Sequence, residues 1–346
     1  MRIGDFRIGP NNPCFIIAEL SANHNGSLET ALDTIRAAKR AGADAIKLQT
    51  YTPDTMTIPS AKDDFIIKGT IWDNQNLHEL YKTAYTPWEW HQALFDCAAE
   101  EGLICFSSPF DFTAVDFLEK LNVPAYKIAS FEITDIPLIR YAASKGKPII
   151  LSTGIAQKED IELALETCRA VGNNDIALLK CTSSYPAPID EANMAMVRDF
   201  KEQFEVEVGL SDHTMGSLVP IVATCFGAKI IEKHFILDRS VGGPDASFSM
   251  NEEEFTDMVT QVRLAESAIG DVDYTLTEKQ RSGKAFSRSL YVVEDIKAGD
   301  VITADNVRSI RPGFSLHPKH FESILGKKAK HDMDRGSRLA MSDFTD

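Results

Sequence analysis

His213 and His234 each stand at the end of a short apolar run, 207–213 and 229–235. If those runs are adjacent strands, ~4.8 Å apart, both imidazoles can reach one ion. A lone strand-end histidine is more often a general base or a hydrogen-bonded structural residue, but a pair at matching depth favours a metal. Two ligands leave positions open for water or substrate oxygen. The ion expected is therefore a catalytic Mn²⁺ or Mg²⁺ rather than structural zinc. Lys47 and Lys127 stand in equivalent places, with the hydroxyls of Ser108, Ser130, Ser152, Ser183 and Ser211 at other run ends. That combination suits an anion bearing both a phosphate and a carboxylate. Two other uses of the lysines stay open: an ion pair with Glu19 or Glu232, or a Schiff base as in a class I aldolase.

These side chains need a frame that brings run ends together. Eight apolar runs occur, at 14–20, 45–49, 103–108, 125–130, 148–153, 176–182, 207–213 and 229–235. Each reads as a parallel strand buried on both sides. Helix-like stretches lie between them: 28–41, which stops at Gly42, then 160–171, 193–204 and 255–268. Eight strand-then-helix units predict an α/β fold, a closed (β/α)8 TIM barrel. A doubly wound open sheet is the alternative, but no G-x-G-x-x-G follows the first run. Barrel active sites sit at the C-terminal strand ends, where this chain places Glu19, Lys47 with Gln49, Ser107-Ser108, Lys127 with Ser130, Ser152-Thr153, Thr182 to Tyr185, Ser211 to His213 and Glu232 to His234. Strand alternation puts Lys47 and Gln49 on one face, and Glu232 and His234 on one face. So dense a polar ring implies a ligand or an extensive internal network.

The stretch 52–91 exceeds what one connection needs and holds Trp72, Trp88 and Trp90. Long insertions in barrels usually cap the active face, although each tryptophan is as readily explained by local packing. The expected division is a barrel over 1–270, a polar linker over 271–284 and a small strand-poor module over 285–346, of a size that leans on another surface.

The net charge of −15 makes the chain a poor binder of nucleic acid or anionic lipid, while leaving room for an anionic small substrate in a local basic pocket. No run of 18 or more apolar residues exists to span a membrane, and residues 1–10 lack the apolar stretch of a secretory signal, so the expected location is the cytoplasm. The cysteines are scattered. Cys181 alone falls among the site candidates, where it is expected to line the site rather than attack a substrate.

At these residues the chain resembles the sialic acid synthase family. The resemblance covers essentially the whole chain. It is carried by Ile17-Ala-Glu-Leu-Ser-Ala-Asn-His-Asn-Gly26, Ile46-Lys-Leu-Gln-Thr50, Phe106-Ser-Ser-Pro-Phe110, Tyr126-Lys-Ile-Ala-Ser130, Leu151-Ser-Thr-Gly154, Gly209-Leu-Ser-Asp-His213, Ile231-Glu-Lys-His-Phe235 and Gly243-Pro-Asp245. Phe286-Ser-Arg-Ser-Leu290 and Arg311-Pro-Gly313 resemble the family's C-terminal antifreeze-like (SAF) domain. Within the family the chain looks closest to the branch that forms pseudaminic acid, through Phe65-Ile-Ile-Lys-Gly69 with Trp72-Asp73, Thr86-Pro-Trp-Glu-Trp-His91, Lys180-Cys-Thr-Ser-Ser-Tyr-Pro186 and Phe314-Ser-Leu-His-Pro318. Relatives that make sialic or legionaminic acid typically carry Asn where this chain has Ser183.

The resemblance implies a condensation of phosphoenolpyruvate with an amino-sugar aldehyde. It implies that Lys47, Ser108, Lys127, Ser130, Ser152, Ser183 and Ser211 bind phosphoenolpyruvate and that His213 and His234 hold the metal. It further implies that Glu19, Gln49 and Asp245 contact the sugar beside Tyr185, with Glu19 able to orient a water. Arg311 would reach in from the C-terminal domain, in a domain-swapped homodimer. Synthesis of N-acetylneuraminate or legionaminic acid by the same chemistry, a Schiff-base aldolase using Lys127, and a non-catalytic sugar- or ice-binding protein are the competing readings. The last leaves the polar ring without a task.

Overall fold

In a computed structural model, which describes residues 1–345, the eight apolar runs form one closed parallel barrel. Its strands are β1 (Phe15–Glu19), β2 (Ala45–Thr50), β3 (Ile104–Pro109), β4 (Tyr126–Ile128), β5 (Ile149–Ser152), β6 (Ile176–Cys181), β7 (Glu207–Asp212) and β8 (Ile230–His234). They neighbour one another in chain order, and β8 closes on β1 with His234 paired to Glu19. Helices follow in the expected alternation: α1 (Leu28–Arg40), α2 (Leu77–Ala84), α3 (His91–Glu100), α4 (Phe112–Lys120), α5 (Ile136–Ala143), α6 (Lys158–Ala170), α7 (Ala195–Phe204), α8 (Leu218–Cys225) and α9 (Glu252–Ile269). Local chemistry sets their ends. The Ser27 hydroxyl accepts from the Thr30 amide at the start of α1, and Gly42, at φ +87°, takes the left-handed turn just beyond its end.

Alternation along the strands produces two cores. Outward side chains such as Ile16, Ile46, Ile128, Leu151 and Leu178 pack with the helices. Inward side chains are apolar in the lower half, where Phe15, Ile17, Phe106, Ile150, Leu179 and Ile230 meet Ile3 and Ile8 from the N-terminal hairpin Arg2–Ile3/Phe6–Arg7. Two residues further along, the inward positions turn polar: Glu19, Lys47, Ser108, Lys127, Ser152, Ser211 and Glu232, all buried. The barrel is thus plugged with hydrocarbon below and lined with charge above.

The long connection after β2 holds a short helix, Pro53–Met56, and α2. Its tryptophans divide. Trp88 stacks on Phe117 at 4.7 Å, and Trp90 packs against the helical core and the edge of His24. Trp72 instead donates its indole N–H to the Pro244 carbonyl at 3.0 Å and lies 5.5 Å from the Tyr185 ring, at the barrel mouth.

The chain divides into two compact units, Met1–Gly270 and Asp271–Asp346. The stretch read as a linker contains a helical turn, Glu278–Gly283. The second unit has short strands, β9 (Ser289–Val292) paired with β10 (Val307–Ile310) and β11 (Lys328–Ala329) paired with β12 (Phe344–Thr345), around its own buried core of Leu290, Val292, Ile302, Val307, Ile324 and Phe344 among others. Among the described residues no helix is long and apolar enough to cross a membrane.

At Gly209 the barrel wall leaves no room for a side chain. A β-carbon there would overlap the Ile230 carbonyl oxygen and press on Leu179. Gly209→Ala is expected to lower the unfolding free energy by about 1–3 kcal/mol, the usual cost of overpacking, read from urea melts.

Candidate active site

Four charges from four strands occupy the centre of the barrel mouth. Lys47 reaches Glu19 Oε2 at 2.7 Å and Glu232 Oε1 at 3.5 Å, and Lys127 donates to the same Glu232 oxygen at 3.0 Å. Three of these carriers come from β8, β1 and β2, neighbours at the barrel seam, and Lys127 reaches in from β4. Ser211 donates to Glu232 Oε1 at 3.1 Å, and Lys47 donates to Ser108 at 3.4 Å. The lysine–glutamate pairing that the sequence left open is therefore present. Each ion loses its water, and the alternation of sign offsets part of that loss.

The two carboxyls are driven apart. Burial pushes Glu19 up to about 7, with Glu232 adding to the shift and Lys47 opposing it. Burial also opposes ionisation of Glu232, but Lys127 and Lys47 together overcome it and hold that carboxyl at about 2. Burial tends to discharge both lysines. Glu19 and Glu232 outweigh it at Lys47, which is raised, but not at Lys127, which is lowered. Glu232 is thus a fixed anion that holds both lysines, while Glu19 is the carboxyl of this group able to change its proton near neutral pH.

Beside this group the rings of His213 and His234 lie 5.4 Å apart. His213 Nδ1 is 3.0 Å from the Thr182 carbonyl, which makes that nitrogen the N–H donor and leaves Nε2 with its lone pair. Burial and the surrounding cations His213, Lys47 and Lys127 push His234 well below its ordinary value, so it is neutral. Its Nδ1 is buried without a hydrogen-bond partner, 3.9 Å from Asp245 Oδ2. Two buried imidazoles with free lone pairs are a donor set that fits a divalent ion. Among the described residues no cluster of three or more His, Cys, Asp and Glu side chains converges on one point, so any further ligands would be water or substrate.

On another side the hydroxyls gather. Ser130 accepts from the Gly154 amide at 3.1 Å, and Ser152 Oγ is buried with no partner. A β-carbon on Gly154 would overlap Ser183 Oγ and meet Ser130 Oγ at 2.7 Å, so only glycine lets these hydroxyls converge. On the remaining side a cavity of about 350 Å³ opens, bounded in part by Gln49, Glu132, Tyr185, His234 and Asp245. Gln49 donates to Glu19 and to Ser21, each at 3.0 Å, and Ser21 donates to Asp245. Tyr185 packs at 4.4 Å on His213.

The barrel residues singled out from the sequence thus meet at one mouth. Arg311 belongs to the second unit, where it is exposed beside β10. Three strand-end residues stand apart, the first being Ser107, whose hydroxyl meets that of Thr50 at 2.7 Å on the outward side. Lys233 pairs with Asp212 and donates to the Thr214 and Gly216 carbonyls, on the outward face of β8. Three features were not foreseen. Cys181 has an activating partner after all: its sulfur is 3.7 Å from His213 Nδ1, and although burial pushes the thiol up, His213 outweighs it and brings it to about 7. Ser21 ties Gln49 to Asp245. Glu132, two residues past Ser130 in a short helical turn, presents a buried, unpartnered Oε2 and lines the cavity.

Residues 34–274 match the NeuB family and residues 287–345 match the SAF domain. The chain is 51% identical to a pseudaminic acid synthase of Campylobacter jejuni, covering 99% of this chain and 100% of that protein. It is 48% identical to a pseudaminic acid synthase of Helicobacter pylori, covering 96% and 98%. A solved structure of N-acetylneuraminic acid (sialic acid) synthetase from Leptospira borgpetersenii, in complex with citrate, matches with a TM-score of 0.74 and 31% identity over 82% of this chain and 94% of that one.

Burial raises Glu132 from 4.5 to about 7, so between those values the folded protein keeps a proton that the unfolded chain releases. Its contribution therefore lowers stability as the pH rises through that window. Glu132→Gln should gain roughly 1–2 kcal/mol over wild type at pH 8 and much less at pH 5, measured by urea melts at both values.

Proposed function

The chain belongs to the NeuB family, and on that premise we propose that it condenses phosphoenolpyruvate with 2,4-diacetamido-2,4,6-trideoxy-L-altrose to give pseudaminic acid and phosphate. The observation that carries this reading is the adjacency of two buried lysines, a converging set of serine hydroxyls and a histidine pair at one barrel mouth. The full-length likeness to pseudaminic acid synthases supports the choice of sugar.

Phosphoenolpyruvate lies with its phosphate and carboxylate between Lys47, Lys127 and the hydroxyls of Ser108, Ser130, Ser152, Ser183 and Ser211. Glu232 keeps the two ammonium groups aimed at the same place before substrate arrives, so little reorganisation is needed on binding. His213 and His234 hold a divalent ion, Mn²⁺ or Mg²⁺, which when bound supplies Lewis-acid polarisation of the aldehyde oxygen. Gln49, Glu132, Tyr185 and Asp245 hold the open-chain sugar so that its aldehyde carbon faces carbon 3 of phosphoenolpyruvate. The carbon–carbon bond forms from the enol double bond as the aldehyde C=O π bond breaks and its oxygen takes up a proton to become a hydroxyl, and water adds at carbon 2. Glu19 orients that water and takes its proton, and the carbon 2–oxygen bond to phosphate then breaks. Following the family resemblance, Arg311 of one subunit serves the barrel of its partner in a domain-swapped homodimer. The cytoplasm is the compartment that suits a reaction drawing on phosphoenolpyruvate.

The test is phosphate release from phosphoenolpyruvate with the altrose sugar, N-acetylmannosamine and the legionaminic acid precursor, each with and without EDTA. The expected outcome is EDTA-sensitive release with the altrose sugar alone. Release with another sugar instead would change the product. EDTA-resistant release, or trapping of Lys127 on substrate by borohydride, would sink the metal-assisted route. His234→Ala should lose activity while its thermal midpoint stays near wild type. Glu19→Gln should lower kcat by about 10²–10⁴-fold, the usual scale for a general base.

A further inference from the structure

Helix α2 carries Leu77, Leu80, Tyr81 and Ala84 at helical spacing. Such a stripe is normally what a surface helix buries against the protein core. Here it does not: α2 has no buried residue, and none of the four belongs to a hydrophobic core cluster. All four line the cavity that also holds Gln49, His234 and Asp245, and Met56 and Ile67 from the same inserted segment join them there. The cavity therefore has two kinds of wall. Strand ends supply an amide, an imidazole and a carboxylate, and the inserted segment supplies aliphatic and aromatic surface.

Apolar side chains facing water in a concave site are recovered only when an apolar part of a ligand covers them. The reacting end of the acceptor must meet His234 and Asp245, so the end that meets α2 is the one remote from the aldehyde. Hydroxyl groups placed there would give up water for a wall whose hydroxyls are those of Thr70 and Tyr81 amid mostly apolar surface. Methyl groups would not.

We infer that the α2 stripe, with Met56 and Ile67, is a specificity-determining surface that takes the methyl-bearing end of the acceptor sugar, its deoxy carbon and N-acyl group, and disfavours acceptors hydroxylated there. The inference rests on the reaction proposed above. It assigns to one contiguous segment the choice among acceptors that share the same chemistry at the aldehyde.

The experiment compares Met56→Gln and Leu80→Asn, which add polarity, with Met56→Leu and Leu80→Met. The polar variants should lower kcat/KM for the trideoxy diacetamido sugar by roughly 10–100-fold, the usual worth of a matched apolar contact, mainly through the sugar KM. The KM for phosphoenolpyruvate should stay within about twofold, and the apolar variants within about threefold of wild type on every constant. The apolar pair also separates recognition from local unfolding of α2. Polar variants as active as wild type on the trideoxy sugar, or a parallel rise in the phosphoenolpyruvate KM, would overturn the role of this wall while leaving the reaction intact. Wild-type protein that turns over only N-acetylmannosamine would overturn the reaction assignment and this inference together.

Discussion

Two lysines and two glutamates sit buried in the middle of a barrel, and the rest of the structure follows from making that tolerable. Removing an ion from water costs several kcal/mol, and only a partner at close range offsets it. Here one carboxylate, Glu232, faces both Lys47 and Lys127, while Glu19 takes the other side of Lys47. Closure of β8 on β1 is what brings Glu232 and Glu19 to the same lysine. An open sheet of the same strands would leave these charges at opposite edges. The hydrocarbon plug of Phe15, Phe106, Leu179 and Ile3 beneath them keeps the network from draining into solvent at the other end of the barrel.

The same strand period that builds the plug builds the site. A parallel strand buried on both faces is mostly apolar on its outward side, but its inward side can switch character once the lower core is full. That switch made the site legible. Lys47 and Gln49 on β2, and Glu232 and His234 on β8, stand out because charge interrupts an otherwise apolar run at alternate positions. The barrel itself was legible for the same reason, with strand ends moving by only a residue or two.

What stayed hidden depended on neighbours distant in the chain. Lys233 looks as much like a site residue as Lys47, and only its place on the outward face, against Asp212, removes it. Glu132 lies in a turn with no periodicity to betray which way its carboxyl points. The contact of Cys181 with His213 spans two strands, and its 3.7 Å separation is a product of register rather than of either local sequence. The stripe on α2 was not singled out from the sequence, and an amphipathic pattern shows that a face is apolar and not what will cover it.

Because α2 and its flanking turns form a single stretch between β2 and α3, the surface they offer the ligand is encoded apart from the strand ends that carry the charges. Recombination could exchange that stretch between homologous genes without altering a lysine, a histidine or a strand. A lineage could in this way acquire a new sugar product in one genetic event, with the bond-forming apparatus inherited unchanged.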